Sequence, residues 1–177
     1  NVMKPFLTQS FGNPSSSHWF GIESRKAILK AREQVAALIN CKPEEIVFTS
    51  GGTEANNYAI RGYAYANRHK GNHIITSVIE HPAILEVCKY LEEYDFDVTY
   101  LPVDKNGSVS VRSVQEAVTE KTILISIMHA NNEVGTIQPI MEIAEIAYEN
   151  GICMHTDAAQ SLGKIPVDVL ELNVDLI

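Results

Sequence analysis

The chain has 177 residues, 45% of them hydrophobic and 20% charged, with a formal net charge of −8, the proportions of one ordinary globular domain. That acidic balance has no basic patch to offset it, which argues against a nucleic-acid or anionic-membrane partner. No apolar run reaches the roughly 18 residues of a transmembrane helix. Residues 22–39 carry Ala27, Ile28, Ala31, Val35, Leu38 and Ile39 at the 3.6-residue period of an amphipathic helix. Residues 46–49 are short, β-branched and aromatic and read as a buried strand, and a helix is predicted over about 53–69. Then come a buried strand at 73–78, a helix at 82–94 with Pro82 in its first turn, a strand at 97–103 and a turn at 105–107. A helix at 111–120, a strongly buried strand at 122–128 and a helix at 139–151 with Pro at its start and Gly at its end follow. Strands at 152–157 and 174–177 complete the series.

Strands alternating with helices predict an α/β fold, a mostly parallel sheet with helices on both faces. There are no repeats, low-complexity tracts or linkers, so one domain is expected. Cys41, Cys88 and Cys153 are odd in number and widely spaced, which implies neither a disulfide framework nor a CxxC metal site. The opening Asn1-Val2-Met3-Lys4-Pro5 is unlike a signal peptide, and a reduced, cytoplasmic protein is expected. The chain opens mid-pattern and stops on the apolar run "VDLI", so a piece of something longer is expected.

In a parallel sheet, ligands bind beyond the carboxyl ends of the strands. Four polar clusters fall there: Gly51-Gly52-Thr53, Glu80-His81, His129 to Glu133, and Asp157 to Ser161. The stretch "TSGGTEANN" (49–57) leads from a predicted strand into a predicted helix. It reads either as a phosphate site, where free N–H groups meet the positive end of the helix dipole, or as a tight turn with Thr53 as a cap. It matches neither the dinucleotide nor the P-loop glycine spacing. Asp157 ends an apolar strand, where a carboxylate needs a partner; it is either a cap or the partner of a cationic ligand atom. His81 is either a packed residue or a functional one, and one of Asn131 and Asn132 forms a turn. His18 reads equally as structure or substrate lining. His69, His73 and His155 have no metal spacing and read as structural or exposed. Lys164, in a surface turn, is the one lysine near Asp157 and a minor candidate nucleophile. A phosphate turn, an aspartate facing a cation and a histidine are what a pyridoxal phosphate site requires.

"FGNPSSSHWFG", "FTSGGTEANN", "EHPAILEVCKYL", "ISIMHANNEVGTIQP" and "HTDAAQSLGKIPVD" resemble, in order and over nearly the whole chain, the signatures of the cysteine desulfurases. These are fold-type I pyridoxal phosphate enzymes of the class V aminotransferase superfamily, and the likeness is strongest to the NifS/IscS-type group. The resemblance implies that Gly52 and Thr53 hold the cofactor phosphate. It further implies that His81 stacks on the pyridine ring and assists proton transfer, and that Asp157 pairs with the ring nitrogen. Asn132 and Gln160 would contact the ring's 3-oxygen. It also implies conversion of L-cysteine to L-alanine, with sulfur left as a persulfide on an enzyme cysteine for iron–sulfur assembly. A homodimer and a scaffold or other sulfur-acceptor protein are expected as partners.

In that family the lysine linked to the cofactor, the persulfide cysteine and the arginine for the substrate carboxylate belong to a half that would lie beyond Ile177. None of the three cysteines matches the sulfur-accepting position, and Cys88 and Cys153 are expected to be buried and inert. Residues 1–177 alone are thus expected to be the N-terminal part of the cofactor domain and inactive. The rival readings are selenocysteine lyase, another class V enzyme, or a non-catalytic assembly or binding relative.

Overall fold

The computed structural model describes residues 2–177. The chain divides into two compact units, one ending at Phe48 and the other spanning Thr49–Ile177. The first holds helices α1 (Lys4–Thr8) and α2 (Trp19–Ile39) and a 3₁₀ turn at Pro43–Glu45. Helix α2 starts earlier than the periodicity predicts and ends on Asn40 in the left-handed conformation, with φ 59°, a state in which Asn costs little. Its predicted apolar stripe is a correction. Of those six residues only Ile39 is buried, while Leu38 stays 57% exposed; Gly21, Ser24 and Ala36 are the buried positions beside it. Ser24 is held by donating its hydroxyl to Ser10 O at 2.9 Å.

The strand predicted over 46–49 does not form. Val47 and Phe48 are exposed, and no strand among the described residues pairs with this stretch. A side chain takes the place of a ladder partner. The Arg32 guanidinium donates to Ile46 O and lies over the Phe48 ring, 5.0 Å from its centroid.

The second unit is built on strands β1 (His73–Ser77), β2 (Asp97–Leu101), β3 (Thr122–Ser126) and β4 (Cys153–His155). They form one sheet in the order β2-β1-β3-β4, every pair parallel. Helices α3 (Gly52–Asn67) and α4 (Pro82–Glu92) cover one face. Helices α5 (Val111–Ala117) and α6 (Ile140–Glu149) cover the other. Because successive strand side chains point to opposite faces, the sheet feeds two cores. Ile74, Leu124 and Cys153 pack with Ile60, Ile84, Val87, Cys88 and Leu91. Ile75, Ile125 and Met154 pack with Val114, Ile140, Ile143 and Ala147. β1 and β3 are buried at every position, whereas edge strand β2 is buried only at Leu101. This matches the predicted parallel α/β fold.

Local chemistry explains the helix ends. His81 precedes α4 and accepts from Ala83 N, with Pro82 at the first turn. Ser110 caps α5 through Ser113 N, and Pro139 precedes α6, whose exit is Gly151 at φ 65°. The predicted last strand, 174–177, is reduced to a single parallel bridge between His155 and Leu176, so it lies beside β4 but does not extend the sheet as a full strand.

Chain order sets where a ligand can sit. β1 is followed by β2 on one side and, after a crossover, by β3 on the other. The connections after β1 and β3 therefore part in opposite directions. This is a topological switch point, the place where open α/β sheets hold ligands.

Candidate cofactor site

Three of the four predicted clusters leave the carboxyl ends of parallel strands, and the fourth opens α3. Hydrogen bonds tie all four together. Met128 N donates to Glu80 Oε1 at 3.0 Å, joining the exits of β3 and β1, and Asn131 Nδ2 donates to Ile79 O at 3.1 Å across the same gap. His129 N donates to Asp157 O at 2.9 Å, joining β3 to β4. Asn56 Nδ2 donates to Asp157 Oδ2 at 2.9 Å, joining β4 to α3.

The glycine turn supplies the anion end. Gly51 precedes a 16-residue helix that no side chain caps, and the first helical bond runs from Ala55 N to Gly51 O. The N–H groups of Gly52, Thr53 and Glu54 thus have no helical acceptor, as at any helix start. All three residues are exposed, and a side-chain carbon built on Gly51 or Gly52 would meet nothing within 4 Å. The capping alternative for Thr53 fails, since its hydroxyl makes no cap bond. Glu54 reaches back instead: its carboxylate accepts from Ser50 N at 2.5 Å, which lowers its pKa. These donors and the helix dipole suit a phosphate.

Asp157 supplies the cation partner. Oδ1 accepts from Ala159 N at 2.9 Å and Oδ2 from Asn56, and the side chain is half-buried. Two donors fix its plane and leave lone pairs for one more N–H. The cap reading and the cation-partner reading therefore hold together, since Asp157 caps its own turn with one oxygen. Gln160 is exposed, and its Oε1 accepts from Lys164 Nζ at 2.7 Å. That bond leaves the amide N–H groups for an acceptor such as a phenolic oxygen. Of the asparagine pair, Asn131 forms the turn: its Oδ1 accepts from Glu133 N and Val134 N, while Asn132 stands exposed.

His81 is exposed, and its Nδ1 accepts from Ala83 N at 3.1 Å. A ring nitrogen that accepts cannot carry a proton, so the neutral ring bears its hydrogen on Nε2. Beside it, Glu80 is 4% exposed; its Oε1 accepts from Ser77 Oγ at 2.6 Å and from Met128 N, and its Oε2 has no partner among the described residues. Burial pushes this carboxyl up to about 7, and the Asp157 charge adds to the rise. The buried His129 Nδ1 is likewise unpartnered, and burial lowers its ring.

Of the other histidines in this unit, none donates to these clusters through an observed hydrogen bond among the described residues. His73 is bracketed by Thr122 and Thr99 hydroxyls. His155 is fully buried on Ser126 Oγ, its ring pushed down to about 4 by desolvation. His69 and His18 are exposed. Cys88 and Cys153 are buried thiols pushed up to about 12, which keeps them protonated and poor nucleophiles.

Asn56 and the partners of Glu80 escaped the sequence reading. The signal for Asn56 was present, since an Asn pair inside a helix is unfavourable without a bonding role and Asn56 lies one turn after Gly52. Ser77 and Met128 gave none, because a strand-end serine and a backbone N–H carry no pattern.

The whole chain, residues 1–177, matches the aminotransferase class-V family. It is 58% identical to a cysteine desulfurase IscS of Dictyoglomus turgidum, covering 99% of this chain and 45% of that protein. A solved structure described as SspA in complex with cysteine superposes with a TM-score of 0.95 at 46% identity, covering 98% of this chain and 50% of that one. A NifS-like protein superposes at 0.94 with 43% identity, covering 98% and 48%. The chain thus spans about half the length of the relatives it matches. A parallel sheet with these four polar clusters at its carboxyl edge, together with the match along every residue, shows that the chain belongs to the aminotransferase class-V family.

Proposed function

We propose that this chain is the N-terminal part of the cofactor domain of a pyridoxal phosphate-dependent cysteine desulfurase, which converts L-cysteine to L-alanine and passes sulfur on as an enzyme-bound persulfide. The observation that carries this reading is the Asn56–Asp157 bond. It couples the uncapped helix start, suited to a phosphate, to a carboxylate suited to a pyridinium nitrogen. The relatives named cysteine desulfurase and the cysteine-bound structural neighbour support the substrate. The donor set fits the cofactor, which when bound supplies an electron sink for bonds broken next to the amino carbon.

The residues divide the work. Gly52 and Thr53 hold the phosphate through N–H groups and the Thr53 hydroxyl. Asp157 keeps a proton on the ring nitrogen by placing negative charge beside it. Asn132 and the Gln160 amide donate toward the ring's 3-oxygen. His81 would stack on the ring and assist proton transfer; Ala83 N, by donating to Nδ1, leaves Nε2 as the ring nitrogen that faces the ligand. The family resemblance places the lysine and the sulfur-accepting cysteine beyond Ile177; within residues 1–177, Lys164 is engaged by Gln160, and the buried thiols of Cys88 and Cys153 stay protonated. A cytoplasmic homodimer delivering sulfur to an iron–sulfur scaffold or similar acceptor completes the proposal.

The test uses the full-length protein loaded with pyridoxal phosphate. Equal amounts of alanine and sulfide released from L-cysteine under reductant are expected. Turnover of selenocysteine alone would reassign it as a selenocysteine lyase. Failure with both substrates would favour a non-catalytic relative.

A further inference from the structure

The switch point between β1 and β3 is bridged by one buried side chain, Glu80. Its Oε1 accepts from Ser77 Oγ, at the end of β1, and from Met128 N, just past β3. A carboxyl group this deeply buried is costly to place, and its second oxygen has no partner; such a group persists where it serves a purpose other than packing. What it joins is informative. Glu80 immediately precedes His81, whose ring stands exposed at the head of α4. A second tie across the same gap, Asn131 Nδ2 to Ile79 O, holds the residue before Glu80. The backbone on the approach to His81 is therefore fastened to β3 as well as to its own strand.

We propose that Glu80 is a positioning residue for His81: by bridging Ser77 Oγ and Met128 N it sets the height and tilt of the His81 ring over the pyridoxal ring. This rests on the pyridoxal phosphate reading above. The bridge needs an acceptor oxygen and not a charge, because both partners are donors. Burial, which pushes the carboxyl up to about 7, is consistent with an acid that spends much of its time neutral at this spot.

Three full-length variants loaded with pyridoxal phosphate decide the matter. Glu80→Ala is expected to lower kcat about tenfold, to leave KM and cofactor content near wild type, and to change the visible circular dichroism of the bound cofactor. Glu80→Gln, whose carbonyl can accept from the same two donors, is expected to restore both kcat and the dichroic band. Glu80→Ala placed on His81→Ala is expected to add no further loss, because a residue acting through His81 has nothing left to position. Additive losses in the double variant, or a Gln variant as impaired as the Ala variant, would overturn the proposal. If Glu80→Ala does not fold, Ser77→Ala removes one of the two donors, and a roughly twofold to threefold loss of kcat with the same dichroic change is expected. An unchanged band in that variant would count against the bridge. The dichroic readings need no turnover, so a wild-type protein inert toward cysteine would sink the functional reading and leave this test standing.

Discussion

Two carboxyl groups stand at the same edge of the sheet and meet opposite fates. Asp157, after β4, is half-buried and has a donor on each oxygen, Ala159 N and Asn56 Nδ2. Glu80, after β1, is buried with both donors crowded on one oxygen and none on the other, and its pKa is pushed up to about 7. The chemical group is the same; hydration and donor placement differ. A carboxylate with a donor on each oxygen suits the proposed pyridinium partner, whereas burial with one bare oxygen favours the protonated acid and suits the proposed brace.

The largest test of this contrast is to remove the charge from the first group. In the full-length protein, Asp157→Asn keeps the shape but loses the charge and one of the two acceptor oxygens, and turnover of cysteine to alanine is expected to fall about 10²–10³-fold. Undiminished alanine production would show that Asp157 does not serve the ring nitrogen. Next comes the group that Glu80 serves. His81→Ala is expected to slow kcat about 10²-fold while pyridoxal phosphate content, read by absorbance, falls much less. Normal turnover with lost cofactor would reverse that role.

The third test reads the two carboxyl groups by pH. Glu80's folded pKa lies above its ordinary value of 4.5, so the folded state binds this proton more tightly than the unfolded chain does. Its contribution is fully present below pH 4.5 and is lost as pH rises to about 7. Glu80→Gln does not titrate. Compared with wild type, it is expected to gain roughly 1–3 kcal/mol of stability across that window in urea titrations of the full-length apoprotein. His155, whose pKa is depressed to about 4 by burial, acts in the other direction, losing stability as pH falls from 6.5 toward 4; it is common to both proteins and cancels. Cys88 feels the Glu80 charge, but burial pushes its thiol up to about 12, so it stays protonated throughout this window in both proteins. A pH-independent difference would place the Glu80 proton elsewhere. The smallest effect belongs to Asn56. Asn56→Ala leaves Asp157 its charge but removes one donor, and a roughly fivefold weaker pyridoxal phosphate affinity is expected in equilibrium titration. A loss as large as that of Asp157→Asn would mean that Asn56 touches the ligand itself.

Much of this edge was legible in the residue order. His81 and Asp157 stand out because apolar strands stop just before them, and Gly52 and Thr53 because a glycine turn opens a helix; Asn132 and Gln160 were singled out within their polar clusters only by the family resemblance. The turn role of one asparagine was also readable, though only the structure assigns it to Asn131, whose Oδ1 takes two backbone N–H groups. Asn56 and Ser77 were not legible. Their importance lies in a partner that is distant in sequence, 101 residues away for Asn56, or in a burial that no local pattern records.

The errors have the same cause. Ile46-Val47-Phe48 has the composition of a buried strand but gains no ladder partner among the described residues, and Arg32 occupies the Ile46 carbonyl instead. On α2, the period identified a helix correctly and its buried face wrongly, since Leu38 lies outward while Ser24 and Ala36 lie inward. What the sequence by itself determined was the alternation of strands and helices, because side-chain period and turn residues act over a few neighbours. Only the tertiary structure decided the strand order β2-β1-β3-β4, the switch point it creates, and which carboxyl group is buried beside it. Those depend on contacts between segments far apart in the chain, where desolvation and shared donors, not local propensity, set the free energy.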